Sequence, residues 1–267
     1  MTAASTFVAS DGGAYEIQMG RWSRRLAEPF LDFTGVANNE DVLDVGCGTG
    51  NLAFAVGARA NVKSVKGLDY SSAYIDNAKK RNNHSHISFE VGDASAMSYA
   101  DGSFDRVLSM LVLFFATDAI KAVAEMRRVA RQGATVAAAL WDLRGGMPAS
   151  RMFQDTAAML DPRAVEMRAK NCTRPLCHPG ELGAAWRDAG FRDVKETTLT
   201  IRMEFENFED YWRPYMSKQG PGADYVASLT SQEQATLREH VMRAYLDGEP
   251  DGYRSYFAVA HAVKGTK

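Results

Sequence analysis

An acid and three alternate glycines stand together in Asp41-Val-Leu-Asp-Val-Gly-Cys-Gly-Thr-Gly50. Val42, Leu43 and Val45 have the apolar density of a strand buried on both faces. Gly46, Gly48 and Gly50, with the small Cys47 among them, let the chain turn sharply and leave no Cβ in a ligand's way. Asn51-Leu-Ala-Phe-Ala then resumes with helical composition, so backbone N–H groups and a helix N-terminus face whatever lies above the strand. This arrangement can cradle a nucleotide-like ligand at the carboxyl end of a strand. The dinucleotide fingerprint GxGxxG would put its third glycine at position 51, which is Asn51, so the pattern here is GxGxG. A turn built to bind pyrophosphate is not helped by an acid in the strand that leads to it. Asp44 points instead to a ligand with positive charge or N–H donors.

A second acid follows at a useful distance. Ser64 to Tyr70 (SVKGLDY) reads as a strand ending in Asp69 and Tyr70, about 20 residues past the glycine turn, where mononucleotide-binding βαβ units carry a ribose-binding acid. Asp69 is the candidate acceptor of two ribose hydroxyls. It also stands where it could cap the helix that begins near Ser71 and Ser72 and closes on Lys79, Lys80 and Arg81; the two roles are compatible.

The acid followed by GxGxG resembles the first motif of the class I S-adenosylmethionine-dependent methyltransferases. By that resemblance Asp44 and the turn Gly46-Cys47-Gly48 with Gly50 would hold the methionine part of the cofactor, Asp44 near its ammonium. A third strand, Ile87 to Val91, runs into Gly92-Asp93-Ala94, again as in the family. The resemblance assigns Asp93 to the exocyclic amine of adenine and Ala94 to a backbone contact beside it. Asp101 to Met110 gives a turn and a fourth strand, and the apolar patch Leu111 to Phe115 would floor the methyl-transfer cavity. Most of that patch is core filling; Met110 and Leu111 are the members expected to touch the cofactor, and Phe114 the acceptor. Ser109-Met-Leu-Val112 stands where adenine amino-methyltransferases of nucleic acids carry Asn/Asp-Pro-Pro-Tyr/Phe. That group is disfavoured, and small-molecule O-, N-, C- or S-methylation stays open.

These segments must be positioned by an alternation of strands and helices. Thr117-Asp118 caps a helix with an apolar face through Ile120, Val123, Met126 and Val129, expected to end at Gln132-Gly133. Ala134 to Trp141 is a fifth strand, a helix is expected from about Gly180 to Ala189, and Val194 to Phe205 and Tyr253 to Val263 are the last two strands. The fold class is α/β, and the resemblance implies a doubly wound, Rossmann-like, seven-stranded sheet, mostly parallel with one antiparallel edge strand. Residues 1 to 37 form an N-terminal helical lid segment and 38 to 267 the core, with cap insertions at about 143 to 179 and 206 to 250.

Those additions are where acceptor specificity belongs. Tyr15 to Arg24 resembles the pre-core segment of bacterial methyltransferases of the ubiquinone/menaquinone-biosynthesis type, in which an aromatic and an arginine close over the methionine end of the cofactor. Tyr15 and Arg21 are the candidates, with Arg24 as the alternative cation; an amphipathic helix packing Trp22 and Leu26 on the core is the competing reading. Phe208 to Tyr215, followed by Gln219-Gly-Pro-Gly222, combines aromatics with a turn. Trp22, Tyr211, Trp212 and Tyr215 are candidates for an apolar or aromatic acceptor pocket, against a role as core of a helical cap.

The 267 residues are 46% hydrophobic, enough for a substantial core, and a formal charge of −2 gives no general attraction to nucleic acid. The basic clusters around Arg24, Lys80 and Arg128 alternate with acids and read as solvated helix faces. Three cysteines make no disulfide framework and Cys172, Cys177 and His178 lack the partners of a zinc spacing, so no metal is expected. The longest apolar run, Val107 to Ala116, is too short to span a bilayer, and a cytosolic monomer or homodimer is expected. The resemblance implies in-line methyl transfer from S-adenosylmethionine to a small acceptor, leaving S-adenosylhomocysteine. Alignment and exclusion of water matter more for this than a dedicated residue. His178 is the weak candidate for a base, and no catalytic residue is otherwise identified. A cofactor-binding regulatory protein without catalysis is the alternative, and an NAD-dependent oxidoreductase shares only the fold logic.

Overall fold

The computed structural model describes residues 11–217 and 220–267. Its strands are β1 (Asp41–Val45), β2 (Ser64–Asp69), β3 (Ile87–Val91), β4 (Phe104–Met110), β5 (Ala130–Trp141), β6 (Arg192–Phe205) and β7 (Arg254–Thr266). They form a 7-stranded sheet in the order β3-β2-β1-β4-β5-β7-β6. β1 to β5 pair in parallel, and β7 runs antiparallel between β5 and β6. The order reverses between β1 and β4, where the connections leave for opposite sides and the carboxyl ends open into a crevice.

The helices are α1 (Gly12–Tyr15), α2 (Arg21–Thr34), α3 (Asn51–Arg59), α4 (Ser72–Arg81), α5 (Ala119–Val129), α6 (Pro148–Leu160), α7 (Pro162–Cys172), α8 (Glu181–Asp188), α9 (Phe208–Trp212), α10 (Pro221–Ala227) and α11 (Ser231–Leu246). Period-two alternation splits each central strand between two cores. Val42, Val65, Leu108 and Ala139 pack with Leu26 and Phe30 of α2 and Leu52 and Val56 of α3. Leu43, Val45, Val107, Val136 and Leu140 pack with Val123 and Met126 of α5 and Leu182 and Trp186 of α8. The second face is pinned by a hydrogen bond of 3.0 Å from Trp186 Nε1 to the Val136 carbonyl. No helix among the described residues is long and apolar enough to cross a membrane.

Local caps set the helix starts. The Ser71 hydroxyl accepts from the Tyr74 N–H at 3.2 Å, so Ser71 caps α4 and leaves Asp69 to the crevice. Asp118 caps α5 through the Lys121 N–H at 2.9 Å. α5 ends at Val129, earlier than the expected Gln132-Gly133, because Ala130 already pairs with Phe104. The ladder resumes only at Arg106 with Thr135, so the intervening residues bulge outward, with Gly133 at φ +82. β6 and β7 likewise extend beyond the expected 194–205 and 253–263.

At the amino-terminal end of the sheet Arg106 is almost fully buried and its donors are filled. Its Nε and Nη2 each donate to Glu40 at 2.7 Å, and its Nη1 donates to the Thr34 carbonyl at 2.7 Å. This fork ties β4 to the end of α2 and the start of β1.

Candidate active site

The glycine turn closes against β2 and β4. The Gly46 and Cys47 N–H groups donate to the Leu68 carbonyl at 2.7 and 3.0 Å, and the Gly48 N–H donates to Asp69 Oδ2 at 2.8 Å. Gly46 has φ +72, and a Cβ there would stand 2.3 Å from Val112 Cγ1, so both backbone and space require glycine. Asp69 Oδ1 accepts the Ser71 N–H at 2.9 Å, which leaves each carboxylate oxygen with acceptor capacity toward the crevice. Tyr15, Gly46, Gly48, Asp69, Tyr70, Asp93, Ala94, Met110 and Leu111 line one cleft of about 100 Å³, so nine of the residues expected to meet the cofactor come together. Asp93 is fixed by its Oδ1, which accepts the Ser95 N–H at 2.7 Å and hydroxyl at 2.8 Å.

Asp44 lies beneath this turn, 1% exposed, and its Oδ2 has no hydrogen-bond partner among the described residues. Burial, and then the charge of Asp69, pushes its carboxyl up to about 8. Burial also raises the Asp69 carboxyl, against the hydrogen bonds from the Ser71 and Gly48 N–H groups, and burial followed by the charges of Asp44 and Asp69 raises the Cys47 thiol. Asp44 and Cys47 line a small recess with Tyr15, Ser23, Thr49 and Asn51. A buried acceptor without a donor is a costly arrangement unless something supplies the donor.

A second cavity of about 200 Å³ lies beside the cleft. Its walls come from the chain before α2, the end of β5, α6, α7 and the α9–α10 region, including Trp22, Phe114, Trp141, Phe153, Tyr211 and Tyr215. Phe153 and Tyr215 stack with centroids 3.9 Å apart and planes 12° from parallel. Tyr15, Leu111 and Phe115 line both spaces. Leu111 is held at φ +66, an uncommon backbone conformation for a leucine, just past the end of β4. Among the described lining residues there is no carboxylate and no imidazole. Burial pushes the Tyr215 phenol up to about 12, so it stands there as a neutral donor.

Several candidates lie elsewhere. Arg21 lines neither space: its Nη1 pairs with Asp210 at 2.9 Å and its guanidinium lies 4.2 Å from the Trp22 ring centroid. Arg24 is held by Glu16, whose Oε1 also accepts from Thr49 Oγ1 at 2.5 Å, Asn51 Nδ2 at 2.9 Å and Arg81 Nη1 at 2.9 Å. Burial opposes the charge on Glu16, but the hydrogen bonds from Thr49 and Arg24 and the charge of Arg81 hold its carboxyl below the usual range. Glu16, missed in the sequence, is thus the clamp of the N-terminal segment on the glycine turn, within the π-helical turn Glu16–Gly20. Gly50 serves packing, since a Cβ there would meet Phe89 Cζ at 2.8 Å. Trp212 packs on Phe208 at 6.0 Å instead of facing the cavity, so the segment Phe208 to Tyr215 is both cap core and cavity wall. His178 lines neither space, and its backbone N–H donates to Glu181 at 3.1 Å, at the start of α8. Gln219 lies outside the described residues; Pro221 and Gly222 of the same turn line the cavity.

A doubly wound sheet with acids at the ends of β1, β2 and β3 around a glycine turn is a fold of the methyltransferase kind. Residues 43–138 match the family model described as a methyltransferase domain. The chain is 32% identical over 181 residues to a demethylmenaquinone methyltransferase of Beutenbergia cavernae, covering 61% of this chain and 72% of that protein. It is 38% identical over 100 residues to ajmaline N-methyltransferase of Rauvolfia serpentina, covering 36% of this chain and 34% of that one. Phosphoethanolamine N-methyltransferase 2 of Haemonchus contortus, solved with phosphomonomethylethanolamine and S-adenosylhomocysteine, superposes with a TM-score of 0.61 at 15% identity, over 96% of this chain and 56% of that one. The chain spans about half the length of most curated relatives it matches. The chain belongs to the class I S-adenosylmethionine-dependent methyltransferase family.

Proposed function

We propose that this protein transfers a methyl group from S-adenosylmethionine to a small acceptor with an aromatic or otherwise apolar body, leaving S-adenosylhomocysteine. The observation that carries the reading is the junction of the two spaces at Tyr15, Leu111 and Phe115: an acid-lined cleft opens there onto an aromatic cavity. The residues fit the cofactor on their own chemistry. The orphaned Asp44 carboxylate suits an ammonium, Asp69 a pair of ribose hydroxyls and Asp93 the amine of adenine, with Gly46, Gly48 and Ala94 offering backbone and Tyr70 and Met110 the flanks. When bound, the cofactor supplies an electrophilic methyl group on a positively charged sulfur.

The chain's own part is alignment and exclusion of water. Tyr15, Leu111 and Phe115 wall the passage, and the stacked Phe153 and Tyr215 give a flat acceptor a rigid surface. With no carboxylate or imidazole among the described lining residues, the reading needs no general base from the protein, and His178 is not required. The aromatic-walled second cavity joined to the cleft favours an enzyme over a non-catalytic cofactor-binding protein. The same reading makes α1, α6, α7 and the α9–α11 region a cap over the core. It also makes the protein a cytosolic monomer or homodimer, in keeping with its three free thiols. Formation of S-adenosylhomocysteine that depends on an added acceptor, followed across a panel of planar phenols, amines and acids, tests the activity. Binding of the cofactor without turnover on any acceptor would favour the regulatory alternative.

A further inference from the structure

The acceptor cavity contains one charged side chain among its described lining residues, Arg174, in the segment between α7 and α8. Other arginines facing the N-terminal clamp and the cap hold acids: Arg21 pairs with Asp210, Arg81 with Glu16 and Arg151 with Asp155. Arg174 forms no ion pair with a described residue. Its Nε and Nη2 reach only the Asn171 side-chain oxygen, at the long distances of 3.4 and 3.3 Å. Its guanidinium lies 4.6 Å from the ring centroid of Phe115, the residue shared by both spaces, and 6.0 Å from that of Phe114. Burial pushes the guanidinium below its ordinary value, and the one neighbouring group that could answer its charge is the Cys177 thiol, itself pushed up to about 12 by burial and so neutral. An arginine stays protonated in such a place, so the cavity carries a positive charge without a counterion.

A second, independent observation concerns hydrogen bonding. Trp141 is 2% exposed, lines the cavity, and its Nε1 donor has no partner among the described residues. Gln154 lines it too, and its buried Oε1 meets no donor among the described residues. An all-hydrocarbon acceptor would leave both groups and the guanidinium unanswered, which disfavours it.

We infer that the acceptor is an aromatic carboxylate whose anionic end is held by the Arg174 fork, with Trp141 Nε1 and Gln154 Oε1 reading further polar groups on the same molecule. The inference rests on the methyltransferase reading for the identity of the cavity and deepens it. The aromatic walls supply the body of the site, and one cation fits one monoanionic group.

The test uses the full chain saturated with S-adenosylhomocysteine and titrated calorimetrically with benzoate, cinnamate and 2-naphthoate, each against its carboxamide. At least one carboxylate is expected to bind about tenfold or more tightly than its carboxamide. Arg174→Gln should abolish that preference and Arg174→Lys retain part of it, with the affinity for S-adenosylhomocysteine unchanged in both, which also reports that the variants fold. Equal affinity of acid and amide, no binding of any carboxylate, or a preference that survives Arg174→Gln would overturn the inference while leaving the cofactor site intact. Failure of the wild-type protein to bind S-adenosylhomocysteine would instead overturn the reading beneath it.

Discussion

The two ends of the parallel sheet treat buried charge in opposite ways. At the amino-terminal end Arg106 meets both oxygens of Glu40 and the Thr34 carbonyl, all at 2.7 Å, and nothing in the fork lacks a partner. At the carboxyl-terminal end Asp44 Oδ2, Trp141 Nε1 and Gln154 Oε1 are buried without partners among the described residues, and Arg174 pairs with no described acid. The first arrangement closes when the chain folds. The second closes only when something binds, and the difference separates groups that hold the sheet together from groups kept ready for ligands.

The largest effect is expected where the paired end is broken. Arg106→Ala leaves the half-buried Glu40 and the Thr34 carbonyl beside a gap and should lower unfolding stability by about 3 kcal/mol in urea titrations, with little change in S-adenosylhomocysteine affinity for the folded fraction. An affinity loss as large as the stability loss would erase the division between the two ends.

At the other end Asp69→Ala removes an acceptor of both the Gly48 and Ser71 N–H groups as well as the proposed ribose contact. Calorimetry should show S-adenosylhomocysteine binding about a hundredfold weaker, from the loss of two charge-assisted hydrogen bonds. Unchanged affinity would remove Asp69 from the site.

Asp44 sharpens the contrast through pH. Its folded-state carboxyl is raised from 3.8 to about 8, so between those values the folded chain holds more proton than the unfolded one and stability falls as pH rises. The contribution is fully present below pH 3.8 and lost as pH passes about 8. Asp44→Asn should therefore melt at a higher temperature than wild type near pH 8, with the gap closing toward acid, yet bind S-adenosylhomocysteine more weakly. Cofactor binding to the wild type near neutral pH should release a proton, seen as a binding heat that depends on the buffer's ionisation enthalpy.

The smallest effect belongs to His178. With its side chain in neither space, His178→Ala should leave turnover unchanged and alter stability by about 0.5 kcal/mol or less in the same urea titration. A large loss of kcat would restore it as a base.

How much of this was legible in the sequence follows the range of the interactions. The glycine turn, Asp44, Asp69 and Asp93 sit at strand ends set by local pattern, and nine of the expected cofactor residues share one cleft. The seven strands and the antiparallel run near one edge were also readable, because each central strand is a short apolar run bounded by turn residues. Arg21 was not: its partner Asp210 comes 189 residues later, and no local signal announces that pairing. Glu16 carries no local signal either; its role comes from the fold, which brings it to Thr49, Asn51 and Arg81. The early start of β5 was hidden by the bulge at Gly133, and Arg174 lay in a stretch without a motif, its meaning arising only from a cavity assembled by distant segments.

The central claim is that the unpaired carboxyl-terminal end is a cofactor site, and titration of the purified chain with S-adenosylhomocysteine, with NAD as competitor, tests it most directly. The account predicts micromolar binding of S-adenosylhomocysteine at one site, undiminished by NAD. No heat with S-adenosylhomocysteine, or its displacement by NAD, would contradict it.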